Sequence, residues 1–314
     1  MKFNLFEDIN TSCSDQLQHI GVQGEAKVVP GGVEVSLSDW NSQTFKILEG
    51  LPIKSLDLLK TTMPSIESIS GFSLASLSIP AGTHISLEDL RCFNLKNLVI
   101  DDVHFENQDA LSHHNLSHLS ACKTSIKDLN FLSNTGLKSI RIDHCQVSDI
   151  KALSNQQKLN EMHAFKCSIS DLNPIKGLPL ETLNISGNPI TCLLSLSESP
   201  IKNLEIRGTK VESLDPLMET PLESLHLPGS QVSRIAGISN CPIRELNIIG
   251  LDLHDFDIIE TLPLRTLHVS PQNINSDEIK ILHNLEINNL LGPGDPKDQT
   301  KDEFFEKYSE IFSS

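Results

Sequence analysis

A six-residue pattern, Leu-x-x-Leu-x-Ile in its plainest form, recurs along most of this chain at an almost constant interval. It begins at eleven positions, and nine of the ten intervals between them are 21 residues long, the tenth being 22. The starting residues are Ile53, Leu74, Leu95, Leu116, Leu137, Leu159, Leu180, Ile201, Leu222, Ile243 and Leu264. The fourth and sixth residues of every repeat are apolar; at 38% hydrophobic residues, chance would produce this about once in a billion trials. Such a period restricts the chain to a stacked repeat architecture.

Each six-residue pattern predicts a short strand with one buried face, because apolar and polar side chains alternate along it. Strands that recur at a fixed interval stack in parallel on their copies. A second apolar set follows at positions 11, 14 and 17, for example Ile126, Leu129 and Leu132. This return segment has about nine residues and often contains proline, as at Asp215-Pro216. We therefore expect short 3-10 turns or extended chain there rather than α-helices.

These repeats resemble the leucine-rich repeat family, and their length is similar to the short bacterial type found in internalin-like proteins. The resemblance covers Val35 to Leu290. It implies an α/β repeat solenoid of right-handed winding, with a long parallel β-sheet on the concave face and short 3-10 or extended segments on the convex face. The residue pattern from Pro200 to Leu217 also resembles leucine-rich segments of proteins from planctomycete-type bacteria. Such segments are often found as tails on protein kinases. Kinase motifs are missing from this sequence.

The resemblance also implies a ladder of polar side chains at position nine. Asn188 matches the Asn of the family, whereas Thr, Ser, Gln or Cys stands at most other repeats. Cys145 and Cys167 are predicted to be buried ladder thiols that hydrogen-bond the backbone rather than reactive groups. The departures from the ladder, at Gly82, Val103 and Leu251, predict less regular turns.

Three segments follow from the limits of the repeat. Residues 1–31 are predicted to be an N-terminal cap, 32–290 a solenoid of about 12 repeats, and 291–314 a connector with a capping helix. The N-terminal cap offers apolar residues for a helix or hairpin over the first strand: Phe3, Leu5, Phe6, Ile9, Leu17 and Ile20. Near the other end a short capped helix is expected from Ser276. Thr300 and Glu303 then form a capping-box pattern ahead of Phe304.

Charge and cysteine content exclude several classes of function. The chain carries 25 Lys and Arg against 41 Asp and Glu, a net charge of −16, which is unlike a nucleic-acid-binding protein. It has neither an apolar stretch of about 18 residues for a membrane span nor a signal-peptide pattern at its start. None of the seven cysteines has Cys-x-x-Cys spacing, which favours reduced thiols. We therefore predict a cytoplasmic protein without membrane insertion.

The odd strand positions predict a recognition surface, because they point away from the core. In the middle repeats, positions five and seven bring charged and aromatic side chains together on the concave face. Six of them are predicted to bind a protein partner: Arg141, Asp143, His163, Phe165, Glu205 and Arg207. An aromatic ring flanked by arginines has the composition of a binding hot spot. A solvated polar face is the alternative interpretation.

Some residue types suggest catalysis or metal binding, but their spacing does not. Cys122, Asp143 and His163 could supply a nucleophilic triad, yet Cys122 and His163 are two strands apart, roughly 10 Å in a sheet of this kind. An open sheet also offers no oxyanion hole. His226 and His268 are likewise two strands apart and predicted to be too distant to share an ion. We expect no enzyme activity, no metal and no cofactor.

The sequence thus predicts a monomeric, non-enzymatic scaffold that binds a protein or peptide on its concave face. The acidic balance favours a partner with a basic patch. Two alternatives remain open. One is a regulatory or sensing module of a bacterial kinase-like signalling system; the other is an internalin-like surface adhesin, which would require a secretion signal that this sequence does not begin with.

Overall fold

The structure, a computed structural model, describes residues 14–15, 17–19, 22–41, 43–133 and 135–312. The fold divides into two compact units, residues 1–146 and 147–314. Both are built from one repeated element, a short strand followed by a tight turn and a return segment. Phe3, Leu5, Phe6, Ile9 and Ile20 lie outside the described residues.

The first unit has a sheet in which strands follow one another in chain order. The strands of this unit are β1 (Gly24–Val29), β2 (Gly32–Leu37), β3 (Ile53–Asp57), β4 (Ser76–Ser78), β5 (His84–Ser86), β6 (Asn97–Val99), β7 (His104–Glu106), β8 (His118–Ser120) and β9 (Ser139–Arg141), and all except β5 and β7 belong to this sheet. Its helices are α1 (Thr44–Leu48) and α2 (Ile66–Ile69), and its 3-10 helices are η1 (Leu87–Cys92), η2 (Gln108–His113) and η3 (Asn130–Leu132). β1 and β2 form an antiparallel hairpin, and from β2 onward the sheet is parallel. Val35 pairs with Leu56, so β2 keeps the register of the repeat 21 residues ahead of Leu56.

The second unit repeats the same element with greater regularity. Its strands are β10 (Glu161–His163), β11 (Thr182–Asn184), β12 (Asn203–Glu205), β13 (Ser224–His226), β14 (Glu245–Asn247), β15 (Thr266–His268) and β16 (Asn289–Leu291). Its return segments carry η4 (Lys151–Leu153), η5 (Asn173–Ile175), η6 (Leu194–Leu196), η7 (Asp215–Leu217), η8 (Ala236–Ile238), η9 (Phe256–Thr261) and η10 (Pro271–Asn273). The strands are parallel and in register, Leu183 opposite Leu204 and Leu204 opposite Leu225. The helices α3 (Ser276–Asn284), α4 (Lys301–Lys307) and α5 (Ser309–Phe312) follow.

The core of each unit lies between its strands and its return segments. All 22 side chains at the fourth and sixth strand positions are buried, with no more than 2% of their surface exposed. The return side closes the core with residues such as Ile190, Leu193 and Leu196. Each strand therefore buries alternate side chains, as the period of two predicts, and the three-residue 3-10 helices replace the α-helices that the return segments are too short to form.

In the repeats from Gly82 to Leu251, the length of the 3-10 helix follows the residue type at the ladder position. Six consecutive repeats with a polar or Cys ladder residue, from Thr124 to Ser230, carry three-residue 3-10 helices, η3 to η8. The three departures, Gly82, Val103 and Leu251, are each followed by a six-residue 3-10 helix: η1, η2 and η9. After Gly82 and Val103 the chain also forms β5 and β7, a separate two-stranded parallel sheet on the return side. Between Gly82 and Leu251, every repeat that lacks a ladder side chain thus has the longer 3-10 helix.

Cys145 shows what a ladder residue does. Its thiol is buried and donates a hydrogen bond to the carbonyl oxygen of Ala121, 3.1 Å away. Thr124 donates to the same oxygen from its own repeat, at 2.8 Å. Burial raises the pKa of the Cys145 thiol, so the group remains protonated and able to donate. The predicted structural role of Cys145 is confirmed.

The helices α3 and α4 begin with capping boxes. Thr300 and Glu303 form the predicted box of α4, and Phe304 behind it is completely buried. α3 begins at Ser276, but its N-cap is Asn275, which pairs reciprocally with Glu278. The structure therefore confirms both helices and shifts the first cap by one residue.

Candidate protein-binding face

In the first unit, Arg141 and Asp143 form a local ion pair. Arg141 is the last residue of β9, and its Nη2 lies 3.6 Å from Oδ2 of Asp143. Asp143 also accepts a long hydrogen bond from the Cys122 thiol, with 3.8 Å between Sγ and Oδ2. The guanidinium is half exposed, so the pair contributes little to stability and leaves a charged group accessible.

The second unit presents His163 and Phe165 beside β10. Nε2 of His163 lies 3.0 Å from Oε1 of Glu161, two residues earlier on the same strand face. Phe165 is half-buried, and the ammonium group of Lys166 lies 5.1 Å from the centre of its ring. An aromatic ring with a cation over its face combines apolar surface with positive charge.

Glu205 and Arg207 continue this face at β12. Nη2 of Arg207 lies 3.5 Å from Oε2 of Glu205, and the amide of Asn184 donates to the same carboxylate oxygen at 3.2 Å. Arg207 also reaches the next strand, where its Nη2 lies 2.7 Å from Nδ1 of His226. The guanidinium is thus held between a carboxylate and an imidazole.

A cluster that the sequence analysis missed lies beyond this contact: Arg207, His226, Glu245 and His268, called here the histidine–glutamate cluster. Nε2 of His226 is 3.3 Å and Nε2 of His268 is 3.7 Å from the same oxygen, Oε1 of Glu245. The two imidazole rings are 6.2 Å apart. Glu245 occupies position three of its repeat, a column that points to the same side as positions five and seven. Position three of the repeats, considered together with positions five and seven, therefore indicates Glu245 as part of this face.

The contact with Arg207 fixes the tautomer of His226. A guanidinium only donates hydrogen bonds, so Nδ1 of His226 must accept and carries no proton. The proton of the neutral imidazole therefore resides on Nε2 and points at Glu245. These donated bonds, from His226 and then from His268, hold the pKa of the Glu245 carboxyl far below its usual range.

Comparison with known proteins agrees with this architecture. No protein-family model and no curated protein sequence matches the chain. An internalin (inlF) from Listeria monocytogenes superposes with a TM-score of 0.66 at 20% identity, over 93% of this chain and 89% of the internalin. A leucine-rich repeat protein from Leptospira interrogans gives 0.60 at 18% identity, over 80% and 75%. The chain has the leucine-rich repeat fold. The predicted fold class and the resemblance to internalins are confirmed at the level of the fold.

Leucine-rich repeat folds also occur in receptors that share this architecture. A plant peptide hormone receptor, RGFR1 in complex with RGF2, superposes with a TM-score of 0.56 at 13% identity, over 81% of this chain and 49% of the receptor. The solved structures that share this fold therefore include a receptor in complex with RGF2. None of the helices within the described residues is long and apolar enough to cross a membrane.

The triad residues of this leucine-rich repeat protein do not have the environment of a nucleophilic site. Burial, together with the carboxylates of Asp101 and Asp143, raises the pKa of the Cys122 thiol to about 11. A reactive cysteine needs the thiolate, which requires the opposite shift. His163, in the second unit, has Glu161 as its partner. The geometry gives no support to catalysis by Cys122.

Metal binding is the other chemistry that the histidine and cysteine content of the chain suggests. In the part of the chain that the structure describes, no group of three His, Cys, Asp or Glu side chains could hold a metal ion. The imidazole rings of His226 and His268 are 6.2 Å apart, closer than the roughly 10 Å expected for residues two strands apart, because both side chains are directed toward Glu245. Nε2 of His226 nevertheless carries a proton and cannot ligate a metal in this arrangement.

Proposed function

We propose that this leucine-rich repeat protein is a non-enzymatic interaction scaffold that binds a protein or peptide. The binding surface is the strand face of the second unit, with His163, Phe165, Glu205 and Arg207 as contacts. In the first unit we propose Arg141 and Asp143 as contacts of the same kind. The observation that carries the proposal is the half-buried aromatic ring of Phe165 with a cation over it, in a face of polar and charged side chains.

Separation of folding and recognition supports this proposal. Positions four and six are buried throughout, so the core depends on them. Positions three, five and seven carry the side chains of the strand face and can differ from repeat to repeat without affecting the core. The solved neighbours include a plant peptide hormone receptor in complex with RGF2, and we extend binding of a protein or peptide to this chain by analogy of the fold.

The partner is proposed to carry a basic patch. The chain has a net charge of −16. At positions three, five and seven of the repeats from β10 to β15 there are three carboxylates, Glu161, Glu205 and Glu245, and only one Lys or Arg side chain, that of Arg207. Opposite charge increases the rate of association and fixes the register of a complex. We propose that the unbound protein is a monomer.

The double variant Phe165→Ser/Arg207→Glu is expected to lose the partner. The measurement is affinity capture from a lysate of the source cells, followed by titration of the captured protein. Removing the ring and reversing the charge should weaken binding at least about tenfold, because hot-spot residues each contribute more than about 1.4 kcal/mol. Arg141→Glu, measured separately, tests the contact proposed in the first unit.

A matched control makes the same kinds of change on the return side. Leu194 is 62% exposed and Arg234 is also exposed, so Leu194→Ser/Arg234→Glu should retain the partner with wild-type affinity. Thermal unfolding of all variants shows that each is folded. If the face variant and the control bind equally well, the strand face of the second unit is not the binding site.

We further propose a cytoplasmic location. The six cysteines within the described residues are free thiols, a state that the cytosol maintains. An internalin-like surface adhesin is an alternative proposal, supported by the likeness in fold to an internalin, and a regulatory module of a kinase-like system is another. Fractionation of source cells should recover the protein with soluble cytoplasmic markers, and recovery from the cell surface would favour the adhesin.

A further inference from the structure

The histidine–glutamate cluster connects four neighbouring strands of the second unit through side chains. Glu205 and Arg207 come from the β12 repeat, His226 from β13, Glu245 from β14 and His268 from β15. Arg207 donates to His226, and both imidazoles approach the same oxygen of Glu245. The Glu245 side chain is still 43% exposed, so its carboxylate remains accessible from the strand face.

The charge of this cluster depends on its imidazoles. With neutral histidines, the cluster and the adjoining Glu205 together hold two carboxylates and one guanidinium, a net charge of −1; with both histidines protonated their net charge becomes +1. Imidazole side chains gain a proton between about pH 8 and about pH 5. Because the pKa of Glu245 is held far below its usual range by His226 and His268, the carboxylate does not titrate in that interval. Acidification therefore reverses the sign of the net charge of the cluster taken together with Glu205.

We propose that the strand face of the second unit is a proton-gated docking surface. It binds a basic segment of its partner against Glu205 and Glu245 at neutral pH and releases that segment when His226 and His268 take up protons. This inference rests on the proposed function and adds the partner chemistry and its regulation.

The neighbours of the two histidines favour such a gate. Arg207 and Glu205 face His226 from β12, and Glu245 and Asn247 lie on β14 between the two histidines. On the far side of His268, β16 presents the uncharged Leu291. Glu245 is thus the acidic group common to both imidazoles, and proton uptake at either one changes the potential at the same carboxylate.

Proton uptake by His226 also changes the geometry of the face. The second proton must bind at Nδ1, the atom that now accepts from Arg207. Two donors cannot share that contact, so the guanidinium must leave His226. Glu205, whose Oε2 is 3.5 Å from Arg207, can receive it. The guanidinium, no longer shared with His226, then pairs with Glu205 alone, while the imidazolium neutralises Glu245. Both carboxylates therefore become less available to a cationic side chain of the partner.

The test uses the full chain and a fluorescein-labelled dodecapeptide of alternating lysine and serine. Its dissociation constant is measured by fluorescence anisotropy at about pH 7.5 and about pH 5.5, in about 150 mM salt to screen distant charges. Binding should weaken about tenfold or more at the lower pH, because the nearest charge on the face changes sign. A control dodecapeptide in which every lysine is replaced by glutamine should not bind at either pH.

Three variants locate the effect. His226→Gln/His268→Gln should bind the lysine peptide at both pH values with less than about a threefold difference. His254→Gln changes an exposed histidine on the return side and should keep the wild-type pH dependence. Glu245→Gln should weaken binding at neutral pH. If the double variant keeps the full pH dependence, the gate is elsewhere and the inference is wrong.

A measurement without any peptide examines the gate itself. The nitrogen chemical shifts of the imidazoles should show His226 as the tautomer protonated at Nε2 at neutral pH. At low pH both nitrogens should be protonated, and Arg207→Lys should change the midpoint of that transition. A His226 protonated at Nδ1 at neutral pH would overturn the proposed gate. Failure of the lysine peptide to bind would overturn the basic-partner inference, whereas the proposed function would still be decided by the capture experiment with Phe165→Ser/Arg207→Glu.

Discussion

Replacing Asp295 with asparagine is expected to lower the free energy of unfolding by about 3 kcal/mol. The Asp295 side chain is completely buried beneath the C-terminal helices. It accepts hydrogen bonds from the backbone N–H of Gly292 at 2.6 Å, from the Gln299 amide at 2.6 Å and from the Tyr308 hydroxyl at 3.0 Å, and it forms an ion pair with Lys307. An amide in its place would direct an N–H group at donors and leave them without an acceptor.

The pH dependence of stability provides a second signature of Asp295. Burial alone raises the pKa of this carboxyl, but the hydrogen bonds from Lys307, Gly292, Gln299 and Tyr308 together hold it below its ordinary value. A carboxyl with a lowered pKa in the folded state stabilises the fold above its unfolded pKa of about 3.9, and that contribution is lost as the pH falls through the folded value. The wild type should therefore lose stability below about pH 4, and Asp295→Asn should lose less.

Urea unfolding at several pH values measures both effects. Asp298→Asn is a matched control, because it changes an exposed aspartate three residues away and should leave stability unchanged within about 0.5 kcal/mol. Equal stabilities for Asp295→Asn and Asp298→Asn at neutral pH would show that the buried carboxylate does not hold the C-terminal helices in place.

The sequence predicts the fold of this chain well because every repeat encodes the same pattern of buried and exposed positions. A buried residue such as Leu183 is specified by its own strand period and by the same position in ten other repeats. The position-nine ladder is specified in the same way, and its absence at Val103 and Leu251 correctly marks irregular repeats. The separate sheet of β5 and β7 follows from those irregularities but has no repeating pattern of its own.

The candidate site is harder to predict because side-chain contacts on the strand face are not repeated. Position in the repeat places Arg207 and His226 on neighbouring strands, but not the rotamer that brings Nη2 to Nδ1. Glu245 stands at position three of its repeat, outside the two positions from which the recognition surface is predicted. Asp295 is more difficult still, since its partners lie on a turn and a helix outside the repeat. Recognition surfaces differ from repeat to repeat, so a periodic pattern cannot specify them.

Asn188 is the ladder residue with the most complete set of hydrogen bonds. Its Nδ2 donates to the carbonyl oxygen of Ile185 in its own turn at 3.0 Å and to that of Ala164 in the preceding repeat at 2.7 Å. Its Oδ1 accepts from the backbone N–H of Ile169 at 2.9 Å. Other ladder residues make only one of the two donated bonds. Thr209 donates to a carbonyl oxygen of its own turn, and Cys145 donates to a carbonyl oxygen of the preceding repeat. An asparagine amide does both.

Asn188→Ala is therefore expected to destabilise the second unit by about 3 kcal/mol, since it leaves buried backbone groups of two repeats without partners. Asn188→Thr and Asn188→Cys should cost less, about 1–2 kcal/mol, because each restores one of the lost bonds. Urea unfolding of the three variants gives the series, with the exposed Asn155→Ala as the control that should match the wild type. If all three substitutions at Asn188 cost the same, the loss comes from packing rather than from hydrogen bonds to the backbone. A graded series would show that the ladder links neighbouring repeats through shared carbonyl oxygens, which explains why the repeats that lack it follow a different return path.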